Sequence, residues 1–275
     1  MTRGIQFPMF APQTEWVMPD GLKDLTGYKE IAIDLETNDP GLITSGSGSV
    51  VGRGHIAGIA VAVEGWSGYY PIQHENGGNI DKKLVFGWLQ EILNQENTTF
   101  IFHNAMYDVC WLRAAGLIIK GKIVDTMIAA SLVNENRFKF DLNSLAKEYV
   151  GIGKDENVLR IAAKDFGVDP KAEMWRMPAM YVGEYAERDA EVTLKLWQRL
   201  SIELHNEELM DIFNLETKLF PCLVDMRFKG VRVDLEHAAK LKKNLIIRED
   251  KILKNIKDLV GFDIEINAAR SIAKG

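Results

Sequence analysis

The sequence predicts an α/β domain with a mixed central sheet, followed by a short all-helical segment. Two observations lead to this fold class. Runs of β-forming residues come first and are interleaved with helical patterns, which is typical of a sheet covered by helices. From about residue 205 onward the pattern is helical only. With 275 residues, of which 47% are hydrophobic, the chain is long enough for one or two domains.

The predicted strands and helices follow one another in a definite order. The stretch 37–54 is rich in Gly and Ser and predicts a long loop. It lacks the GxxxxGK(S/T) spacing of a phosphate-binding loop. Residues 64–66 separate two β-forming runs and predict a hairpin, and Gly116 is typical of a helix end. Strands are predicted at 30–34, 55–63, 67–72 and 98–102, and helices at 81–94, 105–115, 125–133, 141–150, 156–166, 180–208, 215–228 and 235–260.

Charge and cysteine content exclude several classes of protein. A net charge of −6 argues against a passive DNA-coating module, which would be basic. It does not argue against an enzyme that binds phosphates through metal ions held by carboxylates. The only cysteines, Cys110 and Cys222, provide neither a disulfide framework nor a zinc site. No apolar run approaches the ~20 residues of a membrane span, and residues 1–28 are typical of an irregular leader, so we expect a cytoplasmic protein.

An Asp-x-Glu pair closes the first predicted strand. Asp34 and Glu36 are two residues apart, and side chains at i and i+2 of a strand point to the same side. Two carboxylates placed together are costly unless a cation lies between them. The same spacing recurs at 234 and 263, so the pair alone is a weak signal, and Asp234 is better interpreted as a helix N-cap. The apolar run 31–33 in front of Asp34 sets the first pair apart.

Two further acids carry a polar partner one helical turn earlier. Asn104 and Asp108 are four residues apart, which places them on one helix face. Taken alone, they predict an N-cap followed by a first-turn acid. Tyr185 and Asp189 have the same spacing, and taken alone they indicate a helix with a surface acid. The apolar residues that follow Asp189 place it near the buried side of that helix.

Together these motifs form an ordered set of four acids and one tyrosine. Two divalent ions that bridge one phosphate need three or four carboxylates from different elements, because hard cations prefer oxygen ligands. Hydrolysis of a phosphodiester also needs an oriented water molecule, which a tyrosine hydroxyl can hold. The set therefore predicts metal-dependent phosphodiester hydrolysis, with Mg²⁺ or Mn²⁺ favoured over zinc.

The set resembles the DEDD-type 3′–5′ exonucleases that carry a tyrosine in their third motif. The resemblance is strongest to the proofreading domain of family A DNA polymerases, the DNA polymerase I-like enzymes, and especially to their phage-type members. It covers about residues 28 to 204 and implies an RNase H-like exonuclease fold. The segments that carry it are IAIDLETNDP, GYYPIQH, FIFHNAMYDVCWL, DTMIAASLVNENRFKFDLNSLAKEYVG and VGEYAERDAEVTLKLW. The loop after Glu36 is longer and richer in Gly and Ser than is usual in the family.

The resemblance implies a role for each residue of the site. It implies two divalent metal ions, Mg²⁺ or Mn²⁺, and DNA with a single-stranded or frayed 3′ end as the substrate. The implied ligands of the tightly bound metal are Asp34, Glu36 and Asp189, and the acids that face the second metal are Asp34 and Asp108. The residue implied to orient the attacking water is Tyr185. The residues implied to touch the 3′-terminal nucleotide are Leu35, Thr37 and Asn104.

The resemblance also divides the chain into three parts. Residues 1–28 are a leader, 29–204 form the exonuclease domain, and 205–275 resemble the start of a truncated family A polymerase domain. Because 205–275 are few and nearly all helical, we expect DNA shortening during proofreading in replication, without polymerase activity from this chain alone. A polymerase domain or subunit is a further expected partner, and the implied location is the cytoplasm of a bacterial cell or a phage-infected host.

Two alternatives stay open at the level of sequence. The first is an RNA-trimming exonuclease with the same chemistry, against which the segment after residue 205 speaks. The second is a catalytically silent exonuclease fold that only binds nucleic acid, against which the presence of all four acids and Tyr185 speaks. Nuclease activity measured with and without Mg²⁺ distinguishes the second alternative, and a comparison of DNA with RNA distinguishes the first.

Overall fold

The computed structural model describes residues 13–153 and 156–273, and at its centre lies a five-stranded sheet. The strands are β1 (Glu30–Asn38), β2 (His55–Val63), β3 (Trp66–Pro71), β4 (Thr99–Phe102) and β5 (Lys122–Asp125). Their order is β3-β2-β1-β4-β5, with antiparallel pairing among the first three and parallel pairing from β1 through β4 to β5. The predicted mixed sheet is confirmed. Strand β5 was not predicted, because it is short and its two apolar residues, Ile123 and Val124, lie between charged ones, unlike the apolar run of β4.

Helices cover both faces of the sheet. In chain order they are α1 (Leu42–Ser45), α2 (Gly48–Val51), α3 (Lys82–Leu93), α4 (Ala105–Ala114), α5 (Thr126–Val133), α6 (Leu142–Leu145), α7 (Asn157–Phe166), α8 (Gly183–Asn206), α9 (Met210–Lys229), α10 (Leu235–Val260) and α11 (Ala269–Ile272). A π-helical turn (Ala146–Val150) and two 3-10 turns (Met174–Arg176 and Ala179–Tyr181) interrupt this series. The predicted helix at 141–150 is therefore split in two, and those predicted at 81–94, 105–115 and 235–260 are confirmed within one residue at each end.

Alternate residues of β1 contribute to two separate hydrophobic cores. Ile31 and Ile33 pack with residues of α3 and α4 on one face of the sheet. Ala32 packs with residues of α8 on the other face. Because successive strand side chains point to opposite sides, Asp34 and Glu36 continue the row of Ala32 and lie on the α8 side. The strand pattern thus directs both carboxylates towards the helix that carries the third motif.

The prediction of one long loop over 37–54 is wrong in part. β1 continues to Asn38, which pairs with His55, so Asp34 lies inside the strand rather than at its end. Two single-turn helices, α1 and α2, follow. The carboxylate of Asp39 accepts the backbone N–H of Gly48 at 3.0 and 3.1 Å and holds the excursion together. Such local hydrogen bonds leave no periodic signal in the sequence.

The described part of the predicted leader, residues 13–28, contains no helix or strand, but it is fastened to the domain. The indole N–H of Trp16 donates to Glu187 at 2.8 Å, and Thr14 donates to the Met180 carbonyl. The ring of Trp16 also lies against Gly183, where a Cβ atom would come within 2.0 Å of it. Gly183 is therefore required where the leader crosses the start of α8.

The chain groups into two compact units, one ending at Phe228 and the other beginning at Lys229. Helix α9 belongs to the first unit, because Phe213, Phe220 and Val224 are buried in its cores. The domain boundary predicted at 204/205 concerns domain identity and stays a prediction. In the second unit, α10 begins at the predicted N-cap, where Asp234 accepts the N–H of His237 at 2.9 Å. In the described part of the chain, no helix combines the length and the apolar character that crossing a bilayer requires.

Candidate active site

The first two acids lie on β1 beside a β-bulge. The register of β1 against β2 shifts between Glu36 and Thr37, and bulges of this kind re-aim the side chains next to them. Glu36 is 7% exposed, and Asp34 is partly buried. Both lie on the same side of the sheet. The two strands change register just before the predicted substrate contact Thr37, with Ala57 as the extra residue on β2.

The third motif faces this pair from α8. Asp189 is 5% exposed, and Tyr185 lies one turn before it. Burial raises the pKa of the Tyr185 hydroxyl well above its usual value, and the negative charges of Asp189, Glu36 and Asp34 raise it further. The same hydroxyl is hydrogen-bonded to Asp189. Three of the four predicted acids therefore act electrostatically on one neutral tyrosine.

The remaining acid, Asp108, reaches the pair from α4. Its carboxylate is 4% exposed and accepts the backbone N–H of Leu35 at 3.2 Å. Burial raises the pKa of Asp108 well above its usual range, and the charge of Asp34 raises it further. Asp108 is thus joined to the strand residue between the first two acids. The four acids come from β1, α4 and α8, and the structure brings them to one end of the sheet.

Parallel pairing explains why these elements meet. β1, β4 and β5 run in the same direction, so their carboxyl ends lie at the same edge. Ligands of such sheets bind outside the carboxyl ends of the strands. Asn104 follows β4 at this edge and has the left-handed conformation, with φ 63°. Its side chain makes no capping hydrogen bond, so Asn104 occupies the N-cap position without capping the helix.

A hydroxyl pair that the sequence did not predict lies beside the predicted substrate contacts. The Thr37 hydroxyl lies 2.5 Å from the Tyr107 hydroxyl, which also lies within 3.4 Å of the Asp39 carboxylate. Burial raises the pKa of Tyr107 to about 12, so its hydroxyl stays protonated. Tyr107 follows the predicted nucleotide contact Asn104 by three residues. That spacing, within one turn of the same helix, is the signal that could have identified it.

A buried tyrosine on β3, Tyr69, reaches across β2 towards the acid pair. The Tyr69 hydroxyl packs against Gly58, where a Cβ atom would lie 2.1 Å from it. Gly58 is the register partner of Glu36. Tyr69 also lies 2.7 Å from Nε2 of His74, and Nδ1 of His74 lies 2.9 Å from the Met177 carbonyl. Burial lowers the pKa of His74 to about 4, so the ring is neutral and bridges the two groups.

The donor set suits a hard divalent cation. The side chains that face one another are carboxylates and a hydroxyl, and oxygen is the ligand that Mg²⁺ and Mn²⁺ prefer. Within residues 13–153 and 156–273, no three His, Cys, Asp or Glu side chains already stand in a metal-holding arrangement. A cation bound between these carboxylates would offset the repulsion between their negative charges. The residues fit the ion by chemistry, burial and mutual electrostatic influence.

Comparison with known proteins agrees with this geometry. Residues 11–205 match the family model described as 3′–5′ exonuclease. The chain is 34% identical over 271 residues to a DNA-directed DNA polymerase of Pseudomonas phage M6, a match that covers 95% of this chain and 40% of the relative. It is 26% identical to DNA polymerase I of Pseudomonas aeruginosa, over 91% of this chain and 27% of the relative. The chain thus spans less than half the length of these relatives.

A solved structure shows the same fold. Brucella melitensis NrnC with bound Mg²⁺ superposes with a TM-score of 0.55 at 19% identity, over 77% of this chain and 92% of that one. The superposition shows that the two chains share the same fold. The RNase H-like architecture expected from the sequence is confirmed.

Proposed function

Since the chain belongs to the 3′–5′ exonuclease family found in family A DNA polymerases, we propose that it removes nucleotides from DNA 3′ ends with two divalent metal ions. The observation that carries this proposal is the convergence of four acids from three elements: Asp34, Glu36 and Asp189 act on Tyr185, and Asp108 joins them from α4 through the Leu35 N–H. A hydrolase with a covalent nucleophile would need no such concentration of buried negative charge. Two-metal phosphodiester hydrolysis requires it.

Each acid has its own place in the proposed site. Asp34, Glu36 and Asp189 face one another across β1 and α8 and would hold one ion. Asp34 and Asp108 influence each other directly and would face the second ion. When bound, the ions polarise the phosphodiester and promote ionisation of the attacking water. The bound Mg²⁺ of the similarly folded NrnC supports the choice of metal.

Tyr185 orients the water and does not accept its proton. Burial and the neighbouring carboxylates raise the pKa of Tyr185 far above any working pH. Its hydroxyl is therefore a permanent hydrogen-bond donor and acceptor held beside Asp189. A fixed dipole of this kind acts by positioning the nucleophile in the transition state. In the proposed mechanism, the orientation of the attacking water thus depends on a neutral tyrosine.

Residues beside the acids would position the 3′-terminal nucleotide. Thr37 follows the bulge, and its hydroxyl is fixed by Tyr107. Leu35 is buried, with its backbone tied to Asp108. Asn104 projects from the start of α4 in a left-handed turn with its side chain free of a capping role. These three are proposed to hold the terminal sugar and base against the metal site.

The substrate and setting follow from the relatives. The matched proteins are DNA polymerases of a phage and of a bacterium, so DNA is proposed over RNA, with proofreading during replication as the role. A polymerase domain or subunit is the proposed partner. The proposed place of action is the cytoplasm of a bacterial cell or a phage-infected host.

The test compares DNA and RNA single strands of identical length and sequence. Each strand is incubated with the protein across a Mg²⁺ titration and again in excess chelator. We expect DNA to be shortened with Mg²⁺ or Mn²⁺ and to remain intact in the chelator. Faster shortening of RNA would identify an RNA-trimming enzyme. Undiminished cleavage in excess chelator would refute the two-metal proposal.

A further inference from the structure

One buried carboxylate outside the predicted site caps two helices at once. Asp125 is the last residue of β5 and the N-cap of α5, where its Oδ1 accepts the N–H of Met127 at 2.8 Å. The same oxygen accepts the N–H of Asn104 at 3.0 Å. Its Oδ2 accepts the N–H of Ala105 at 2.8 Å. Asp125 therefore satisfies the start of α4 from a different strand, twenty-one residues along the chain.

This arrangement is unusual because α4 does not cap itself. Asn104 is a good N-cap residue by type, yet its side chain makes no capping hydrogen bond. Its backbone has φ 63°, a conformation that costs non-glycine residues energy and persists only when surrounding contacts impose it. The two N–H groups bound by Asp125 belong to Asn104 and to its neighbour Ala105. The cap supplied by Asp125 imposes the strained turn and leaves the Asn104 amide available for substrate.

The next residue completes the attachment. The Thr126 hydroxyl donates to the Phe102 carbonyl at 3.1 Å and lies 2.8 Å from Nδ1 of His103. Asp125 is 5% exposed, and Thr126 is fully buried. Together the two side chains contact every residue from the end of β4 to the start of α4. We call this pair the Asp-Thr clamp.

The clamp controls the acid on α4 through a rigid helix. Asp108 lies one turn after Asn104, and neighbouring turns of a helix move together. The carboxylate of Asp108 in turn accepts the backbone N–H of Leu35 at 3.2 Å. A shift of Ala105 therefore moves Asp108 relative to Asp34 and Leu35. Asp125 itself is poorly suited to bind a metal ion, because its two oxygens already accept three N–H groups.

We propose that the Asp-Thr clamp positions the exonuclease site: Asp125 and Thr126 together set the Asn104 turn and the placement of Asp108, with Asp125 as the principal positioning residue. This proposal rests on the proposed function, since it assigns Asp125 a part in the same reaction. It differs from a purely structural role in its consequence. Loss of the Ala105 contact should disturb the site more than it disturbs the fold.

The test uses Asp125→Asn with a matched control. Asparagine retains one carbonyl oxygen for Asn104 and Met127 but presents an NH₂ group where Oδ2 accepted the Ala105 N–H. The control is Asp81→Asn, in which the N-cap of α3 accepts only its own helix N–H groups, from Lys83 and Leu84. Both variants keep a capping residue that helices accept equally well.

Four quantities are measured for wild type and both variants. The first two are kcat on a 5′-labelled single-stranded DNA at saturating Mg²⁺ and the Mg²⁺ concentration for half-maximal rate. The others are the Kd of the same DNA, by fluorescence anisotropy without divalent ions, and the Tm. For Asp125→Asn we expect kcat to fall about 10- to 100-fold, since a misplacement near 1 Å costs about 100-fold. The half-maximal Mg²⁺ concentration and the Kd should both rise. Thermal unfolding should shift by less than about 8 °C, and Asp81→Asn should leave kcat and Kd unchanged.

The outcomes separate this proposal from the proposed function. A lower Tm with unchanged kcat, Mg²⁺ requirement and Kd would show that Asp125 is only a helix cap and overturn the proposal. An inactive wild type would refute the proposed function, whereas the anisotropy measurement would still report on the Asn104 turn. If Asp125→Asn does not fold, Thr126→Val tests the other half of the clamp, since valine preserves the shape and removes only the hydroxyl. A folded Thr126→Val with wild-type kcat and Kd would then overturn the proposal.

Discussion

Replacing Asp108 with asparagine should abolish activity and stabilise the metal-free protein at the same time. The carboxylate is 4% exposed, and its pKa is raised first by burial and then by the charge of Asp34. Its one hydrogen bond in the described structure, from the Leu35 N–H, can be kept by the asparagine carbonyl. Asp108→Asn therefore removes a costly buried charge and a proposed metal ligand, with little loss of packing.

The sign of the pKa shift of Asp108 determines the pH range in which the gain in stability appears. A carboxyl whose folded pKa is raised contributes stability below its unfolded pKa, and this contribution is lost as pH rises through the folded value. Wild type and Asp108→Asn should therefore be equally stable below about pH 4. At pH 7.5 the variant should be more stable by about 0.5–2 kcal/mol, the usual gain when a functional compromise is removed. For a protein of this size that corresponds to a Tm increase of about 1–8 °C.

The assay is thermal unfolding of both proteins in chelator, from pH 3.5 to pH 8, with exonuclease rates measured in parallel at saturating Mg²⁺. The Tm difference between wild type and Asp108→Asn should increase with rising pH. It should narrow when Mg²⁺ is added, because an ion that binds only the native wild-type site stabilises that protein alone. The rate of Asp108→Asn should fall by orders of magnitude. A variant that is less stable than wild type in chelator at pH 7.5, or equally active, would refute this reasoning.

Three further predictions concern the other site residues and the substrate. Glu36→Ala and Asp189→Ala should each lower the DNA cleavage rate by orders of magnitude with the fold retained. The control Asp234→Ala removes a helix cap in the second unit, so it should leave the rate unchanged and weaken α10 by ~1 kcal/mol. Loss of activity only in Asp234→Ala would show that the wrong pair of acids was chosen. Tyr185→Phe should lower kcat roughly 10- to 1000-fold, the range for one oriented hydrogen bond, with Mg²⁺ affinity measured by calorimetry nearly unchanged; a wild-type rate would make the hydroxyl a bystander. A mismatched 3′ end on a labelled primer–template should be shortened about tenfold faster than a paired end, because ~1.4 kcal/mol less unpairing energy gives that factor; equal rates would contradict the need for unpairing.

Spacing in the sequence predicted which side of its strand or helix each pair of site residues occupies, and the family resemblance implied their roles. Asp34 and Glu36 lie on one side of β1, and Tyr185 and Asp189 lie on one face of α8, because these periodicities are local properties of strands and helices. The structure places them together through parallel pairing and the packing of α8 on β1. Their roles as metal ligands stay predictions. The helix ends at Asp81 and Asp234 were also predictable, since capping depends on the same few residues.

Features that depend on long-range contacts could not be predicted from the sequence. β1 continues past Asp34 because β2 pairs with it as far as Asn38, and that pairing has no local signature. Asp125 was interpreted only as the start of a helix, since its bonds to Asn104 and Ala105 cross between strands. Asn104 was predicted as an N-cap, which holds for its position but not for its side chain. In each case a contact between distant segments overrides a local preference.

The proposed two-metal 3′–5′ exonuclease activity is tested most directly when one DNA strand is followed over time. A single-stranded oligonucleotide with a 5′ label is incubated with Mg²⁺ and either wild type or Asp34→Ala, the acid shared by both proposed metal positions. The account predicts a ladder of labelled products that shortens one nucleotide at a time from the 3′ end with wild type, and an intact strand with the variant. Immediate release of a labelled mononucleotide, internal cuts, or equal shortening by Asp34→Ala would contradict it.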